Sequence, residues 1–276
     1  MAGRGRGRGR GVLLSSEVMN HIAGVPGGGA ENSVAKKETR GRNNSVSDIE
    51  EVVGNLSLNI DEKQLKDLTK ISEEVCKTAE DLKKLAAIIY EKCLKDRELA
   101  ESGSYVAQKL SNFEVDGVKF RACLLSLVQQ DFKVKEELRK ESINKFLGFF
   151  TFLCQIFFNL KIGNREPIKP LVGPIMECCD MIVDSEGEKC NDDEFECISM
   201  QLQCVGKLIE SVDSDRMLDF LEKVRKKIVM DKTPPKVRCV LLELIECYGR
   251  KWEPASNDVT RCYCDIMAEL YAGMVV

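Results

Sequence analysis

Phe146-Leu147-Gly148-Phe149-Phe150-Thr151-Phe152-Leu153-Cys154-Gln155-Ile156-Phe157-Phe158-Asn159-Leu160 holds six of the chain's 11 phenylalanines, so its burial contributes more to a core than that of any other stretch. At helical spacing Ile143, Phe146, Phe150, Leu153, Phe157 and Leu160 form one stripe. Leu147, Phe149, Phe152, Ile156 and Phe158 cover most of the remaining circumference, the pattern of a helix enclosed by neighbours. A membrane span needs about 20 apolar residues. This run is interrupted by Gln155 and Asn159 and flanked by Lys145 and Lys161, which predicts a central helix of a soluble body.

Outward from this helix, amphipathic segments repeat from Asp61 onward. Ten helices are expected, over 61–77, 79–96, 99–112, 117–140, 142–162, 171–184, 192–212, 214–230, 234–250 and 258–272. Thr78 with Asp81, and Asn191 with Glu194, have the spacing of N-caps followed by an acid. Thr233-Pro234 sets proline at a first helical position behind a capping hydroxyl. Gly163 is placed to end the phenylalanine helix, and Pro167, Pro170 and Pro174 make the following start irregular. No hairpin dipeptide is read between alternating apolar runs, so strands are not expected. Ten helices over residues 61–272 make five pairs of roughly 42 residues, within the ~40–47 period of HEAT-class solenoids. The fold class is therefore all-α, a HEAT-like helical-hairpin solenoid of about five repeats, with an irregular ten-helix bundle as the structural alternative.

Residues 1–44 carry the alternation Gly3-Arg4-Gly5-Arg6-Gly7-Arg8-Gly9-Arg10-Gly11, with little apolar surface to offset ordering entropy, and are expected to be disordered. Eight of the 41 Lys/Arg and three of the 45 Asp/Glu fall there, leaving 33 and 42 beyond. A basic arm of +5 thus precedes an acidic body of −9. Arg4, Arg6, Arg8 and Arg10 are candidate RNA contacts, since mobile guanidinium groups pair with phosphates and stack on bases; the alternative is a solubilising tail. Residues 45–60 read as a linker or a short docking helix. No apolar run near the start suits a secretion signal, and the 13 cysteines are scattered among apolar helical positions, which points to free thiols in a reducing cytosolic or nuclear compartment.

The one histidine is His21, in the tail, which removes a Ser-His or Cys-His nucleophile from the body. No Gly-Lys-Ser or Gly-Lys-Thr loop occurs, and Cys178-Cys179 and Cys262-x-Cys264 lack chelating spacing. Cys190, Cys197 and Cys204 repeat every seven residues, a helix stripe. No catalytic residue, metal or cofactor is expected. A basic cluster of Lys223, Arg225, Lys226, Lys227, Lys232, Lys236 and Arg238 suits either a helix C-terminal dipole or a patch for an acidic partner or RNA. Candidate partner contacts are Phe120, Arg121, Lys133 and Arg139 of the fourth helix, with Arg225, Lys226, Arg238 and Lys251 further on.

Asn144 to Leu160, Glu166-Pro167-Ile168-Lys169-Pro170-Leu171-Val172-Gly173-Pro174-Ile175, Ser199 to Leu208, and Leu241 to Glu246 before Lys251-Trp252 resemble the middle domain of eukaryotic translation initiation factor 4 gamma. Asp131 to Arg139 and Tyr263 add to the likeness. Within that family it runs to the small stand-alone members that interact with the histone stem-loop-binding protein, and to the C-terminal domain of the cap-binding-complex-dependent initiation factor. The resemblance implies a five-repeat HEAT-like adaptor without enzymatic activity. It implies as partners translation initiation factors or a DEAD-box helicase, an RNA-binding adaptor protein, and mRNA directly or through them. A homodimer is a further option, and no membrane is involved.

Overall fold

The computed structural model describes Gly54 and residues 60–163, 166–186 and 190–273. The chain divides into two units, Met1–Arg42 and Asn43–Val276, and every described residue lies in the second. The expectations for 1–44, and for 45–60 apart from Gly54 and Ile60, fall outside the described residues. Those described contain eleven α-helices: α1 (Glu62–Val75), α2 (Ala79–Lys95), α3 (Ala100–Leu110), α4 (Phe120–Lys133), α5 (Lys135–Glu141), α6 (Ile143–Asn159), α7 (Val172–Val183), α8 (Asp192–Val212), α9 (Ser214–Val229), α10 (Pro235–Gly249) and α11 (Asn257–Ala272). The first helices of successive hairpins pack in one row, α1 on α3, α3 on α6, α6 on α8 and α8 on α10. Alongside, α4 packs on α3, α7 on α6, α9 on α8 and α11 on α10. This stacking of helix pairs is the HEAT-like arrangement, with the second helix of the second pair broken into α4 and α5.

Helix α6 sits in the middle of that row. Eleven of its residues are buried, Phe146, Phe149, Phe150, Phe152 and Phe157 among them, because neighbours enclose it on several sides. Its two polar interruptions are each satisfied by a neighbour in the row. Gln155 Nε2 donates to Gln201 Oε1 of α8 at 3.1 Å, and Asn159 Nδ2 donates to Ser104 Oγ of α3 at 2.7 Å. Burial of these amides thus leaves no orphaned donor of theirs and sets the register of α6 between its neighbours. A Cβ on Gly148 would run into the Leu94 backbone of α2, so glycine permits the close crossing there.

Several helix ends follow the sequence. Thr78 and Asp81 form a capping box at the start of α2, and the Asn191 side chain accepts from Asp193 N at 2.9 Å to cap α8. Helix α7 starts at Val172 behind a short 3₁₀ turn over Lys169–Leu171. Others need correction. Strands are present: Glu114–Val115 (β1) pairs antiparallel with Val118–Lys119 (β2), and Lys161–Ile162 (β3) with Glu166–Pro167 (β4). Asp116 and Gly117 have φ of 51° and 76°, the backbone of a two-residue hairpin, so an Asp-Gly turn signal was present but flanked by strands only two residues long. Asp116 Oδ2 accepts from Ala79 N at 3.0 Å, so this hairpin also serves the N-terminus of α2.

The expected helix over 117–140 therefore begins only at Phe120, and it breaks at Val134 (φ −112°, ψ 23°). The break re-aims α5 so that Leu138 is buried. Gly163 does not end α6, which stops at Asn159; it lies between β3 and β4 with φ 57°. Thr233 does not cap α10 either. That helix starts at Pro235, and the Thr233 hydroxyl donates back to Lys227 O at 2.6 Å.

Candidate docking surfaces

Two of the four residues proposed for the α4 region are structural. Phe120, at the first position of α4, is fully buried, because the β1–β2 hairpin turns it inward, and it presents nothing to a partner. Arg139 makes a two-pronged ion pair with Glu194 of α8, Nε to Oε1 at 2.6 Å and Nη2 to Oε2 at 2.7 Å, and its Nη1 donates to Met181 O at 3.0 Å. Glu194 is only 1% exposed, so its charge is compensated by this guanidinium alone among the described ion pairs. Arg121 donates to Asn112 Oδ1 at 3.3 Å and is half-buried. Lys133 is exposed and makes no ion pair among the described residues.

The basic cluster is largely consumed inside the molecule. Lys223 lies 3.2 Å from Asp180 and 3.1 Å from Asp184 of the α7 end, Lys226 pairs with Glu222 at 2.7 Å, and Lys236 pairs with Asp192 at 3.6 Å and sits 3.8 Å above the Tyr271 ring. Lys227 is buried and donates to Ser185 O. Lys226 and Lys227 lie in the last turn of α9, where cations complement the helix dipole, and the cluster forms no single open cationic patch. Arg225, Lys226 and Lys232 keep exposed side chains, and Lys251 is exposed at a turn where its φ is 59°.

Arg238 differs from the rest. Its Nη2 donates to Met230 O at 3.1 Å and Thr233 O at 3.4 Å, while its Nε is buried with no acceptor. No carboxylate pairs with it among the described residues. It lies at the edge of an open groove of about 480 Å³ between α10 and α11, whose walls include Leu242, Val259, Cys262, Tyr263, Ile266 and Leu270. Leu242 is 44% exposed and Ile266 39%. A second groove, of about 580 Å³, runs between α2 and α4, where Lys83 and Lys84 stand beside Ala122, Ser126 and Leu127. Both grooves went unread in the sequence. The first had a signal: Val259, Cys262, Tyr263, Ile266 and Leu270 repeat at helical spacing, yet α11 buries only Met267.

Nine of the 13 cysteines are buried. Burial raises the thiols of Cys93 and Cys178 to about 12, which keeps them protonated and unreactive at neutral pH. Cys190 precedes α8 and does not join the stripe of Cys197 and Cys204. Among the described residues no group of three or more His, Cys, Asp or Glu is placed to hold a metal ion, and no helix is long and apolar enough to cross a membrane.

Comparison with known proteins agrees with the stacked helix pairs. The CBP80/20-dependent translation initiation factor of Xenopus tropicalis is 30% identical over 232 residues, which cover 83% of this chain and 40% of that protein. The chain therefore spans less than half of that relative. The MIF4G domain-containing protein B of Danio rerio is 29% identical over 190 residues, covering 67% of this chain and 85% of the relative, and the MIF4G domain-containing protein of Homo sapiens is 26% identical over 185 residues, covering 65% and 82%. The family described as the MIF4G domain matches residues 51–247, so the row from α1 to α10 is its domain and the chain belongs to the MIF4G family.

Proposed function

We propose that this protein is a non-enzymatic adaptor in mRNA translation, bridging proteins bound at the cap side or the 3′ end of a message to initiation factors or a DEAD-box helicase. The observation that carries the reading is the MIF4G match over 51–247 on a body whose open surfaces are grooves between helices. Stacked helix pairs present extended surfaces to partner segments and need no catalytic histidine. Among RNA-bound partners the histone stem-loop-binding protein fits the family likeness. The protein works in the cytoplasm on this reading, with access to the nucleus through its messenger partners.

Affinity purification of the full-length chain from cell extract, with and without ribonuclease, tests the reading. A variant with Arg4, Arg6, Arg8 and Arg10 all changed to Gln is purified in parallel. Initiation factors or a helicase retained after ribonuclease, by both chains, are the expected result. If everything is lost with ribonuclease or with the four arginines, the protein is a direct RNA binder through its tail and the adaptor reading falls. Salt separates the two as well, because phosphate contacts weaken steeply with ionic strength and apolar docking does not.

A further inference from the structure

The α10–α11 groove is unevenly charged. At one end Glu246 accepts from Arg250 Nη1 at 2.7 Å, so its carboxylate is compensated. At the other end Arg238 is held only by main-chain carbonyls and keeps a buried Nε without an acceptor. The half-buried guanidinium as a whole has no carboxylate partner among the described residues, and a partner's carboxylate is the group that would compensate its charge. Between the two ends the walls are apolar, with Leu242 and Ile266 exposed.

We propose that the α10–α11 groove receives an amphipathic helix of a partner protein, whose apolar side chains lie over Leu242 and Ile266 and whose carboxylate pairs with Arg238. The inference deepens the adaptor reading and rests on it. Helix α10 is 15 residues, about 22 Å at the usual rise, long enough for a partner helix to contact at i, i+4 and i+7. A basic segment would set its cations against an uncompensated arginine, and a nucleic acid would lay phosphates on an apolar wall. An acid-bearing helix meets neither obstacle.

The test uses fluorescein-labelled synthetic helical peptides with leucines at i, i+4 and i+7 and one glutamate at either end, each with a glutamine counterpart, titrated into the full chain by anisotropy. One glutamate peptide is expected to bind at least tenfold tighter than its glutamine twin. Arg238→Gln removes that preference, Leu242→Asp removes binding of every peptide, and Lys63→Gln, exposed on α1, changes nothing. Equal binding of the twins, a preference that survives Arg238→Gln, or no binding overturns the proposal. So does a chain that sediments as a dimer and becomes a monomer with Leu242→Asp, since that assigns the groove to a second copy. Should Arg238→Gln unfold the chain in a thermal melt, the wild-type twin comparison and the exposed Leu242 position still decide. Failed peptide binding alongside ribonuclease-resistant capture of translation factors removes only this docking mode; failed capture removes the adaptor reading.

Discussion

Three carbons of the Trp252 ring lie 2.5–2.6 Å from where a Cβ on Gly206 would stand, and the indole N–H donates to Glu210 Oε2 at 2.7 Å. The tryptophan at the end of α10 is thereby seated on α8, and both Lys251 and Trp252 take positive φ to bring it there. Gly206→Ala is expected to drive the ring out and destabilise the body by ~1–3 kcal/mol, the scale of overpacking. Trp252→Ala is expected to cost ~3–5 kcal/mol. The double variant should cost less than the two together, because the clash is gone once the ring is. Urea denaturation of the three variants checks this, and strict additivity would refute the seat.

Arg139→Met leaves Glu194 buried and unpaired. The expected loss is ~3–5 kcal/mol, the range for breaking one side of a buried ion pair. Adding Glu194→Leu should recover a large part of it. A double variant no more stable than Arg139→Met would mean that Glu194 is solvated in the folded chain, contrary to its burial.

Phe150→Ala in α6 is expected to lower stability by ~3–5 kcal/mol. Gly148→Ala tests the crossing of α6 on α2 separately, since its methyl meets main chain at Leu94 that cannot rotate away. Unchanged denaturation midpoints for both would remove α6 from the centre of the core.

Alkaline pH should unfold the body. Cys93 and Cys178 are raised to about 12, and Cys76 and Cys204 to about 11, in each case chiefly by burial. In the unfolded chain such thiols ionise near 8.5. Above that value the unfolded state holds fewer protons than the folded one, so stability is full below it and falls as pH rises towards 11–12. The urea midpoint should drop between pH 9 and 11, and unfolding at pH 10 should release protons measurable by calorimetry in two buffers. The sign is that of any acid raised by burial, and opposite to that of a carboxylate held low by a cation, which loses stability as pH falls.

Periodicity carried most of the helical architecture because each helix buries a stripe, and α6 was legible from its phenylalanines alone. The misreadings occurred where tertiary contacts act on short segments. Two-residue strands leave no alternation to detect, so residues 117–119 passed for the start of a helix. Val134 breaks a run whose local pattern continues through it, and what the break gains is contact with α7 and α8, far along the chain. Charge was the least legible property. Arg139 and Arg238 look alike in sequence, yet one closes on Glu194 and the other finds only carbonyls, a difference set by residues 55 positions away in the first case.

The break at Val134 also bears on how this architecture can change in length. In an ordinary solenoid each pair touches only the next, so pairs can be duplicated or lost without disturbing the remainder. Here the short helix released by Val134 belongs to the second pair but grips the third through Lys135 and Glu177, and the fourth through Arg139 and Glu194. A duplicated pair inserted between them would leave Arg139 opposite the wrong helix and Glu194 buried without its cation. The number of pairs from the second to the fourth is therefore locked by one side chain, and variation in length is confined to the two ends of the row.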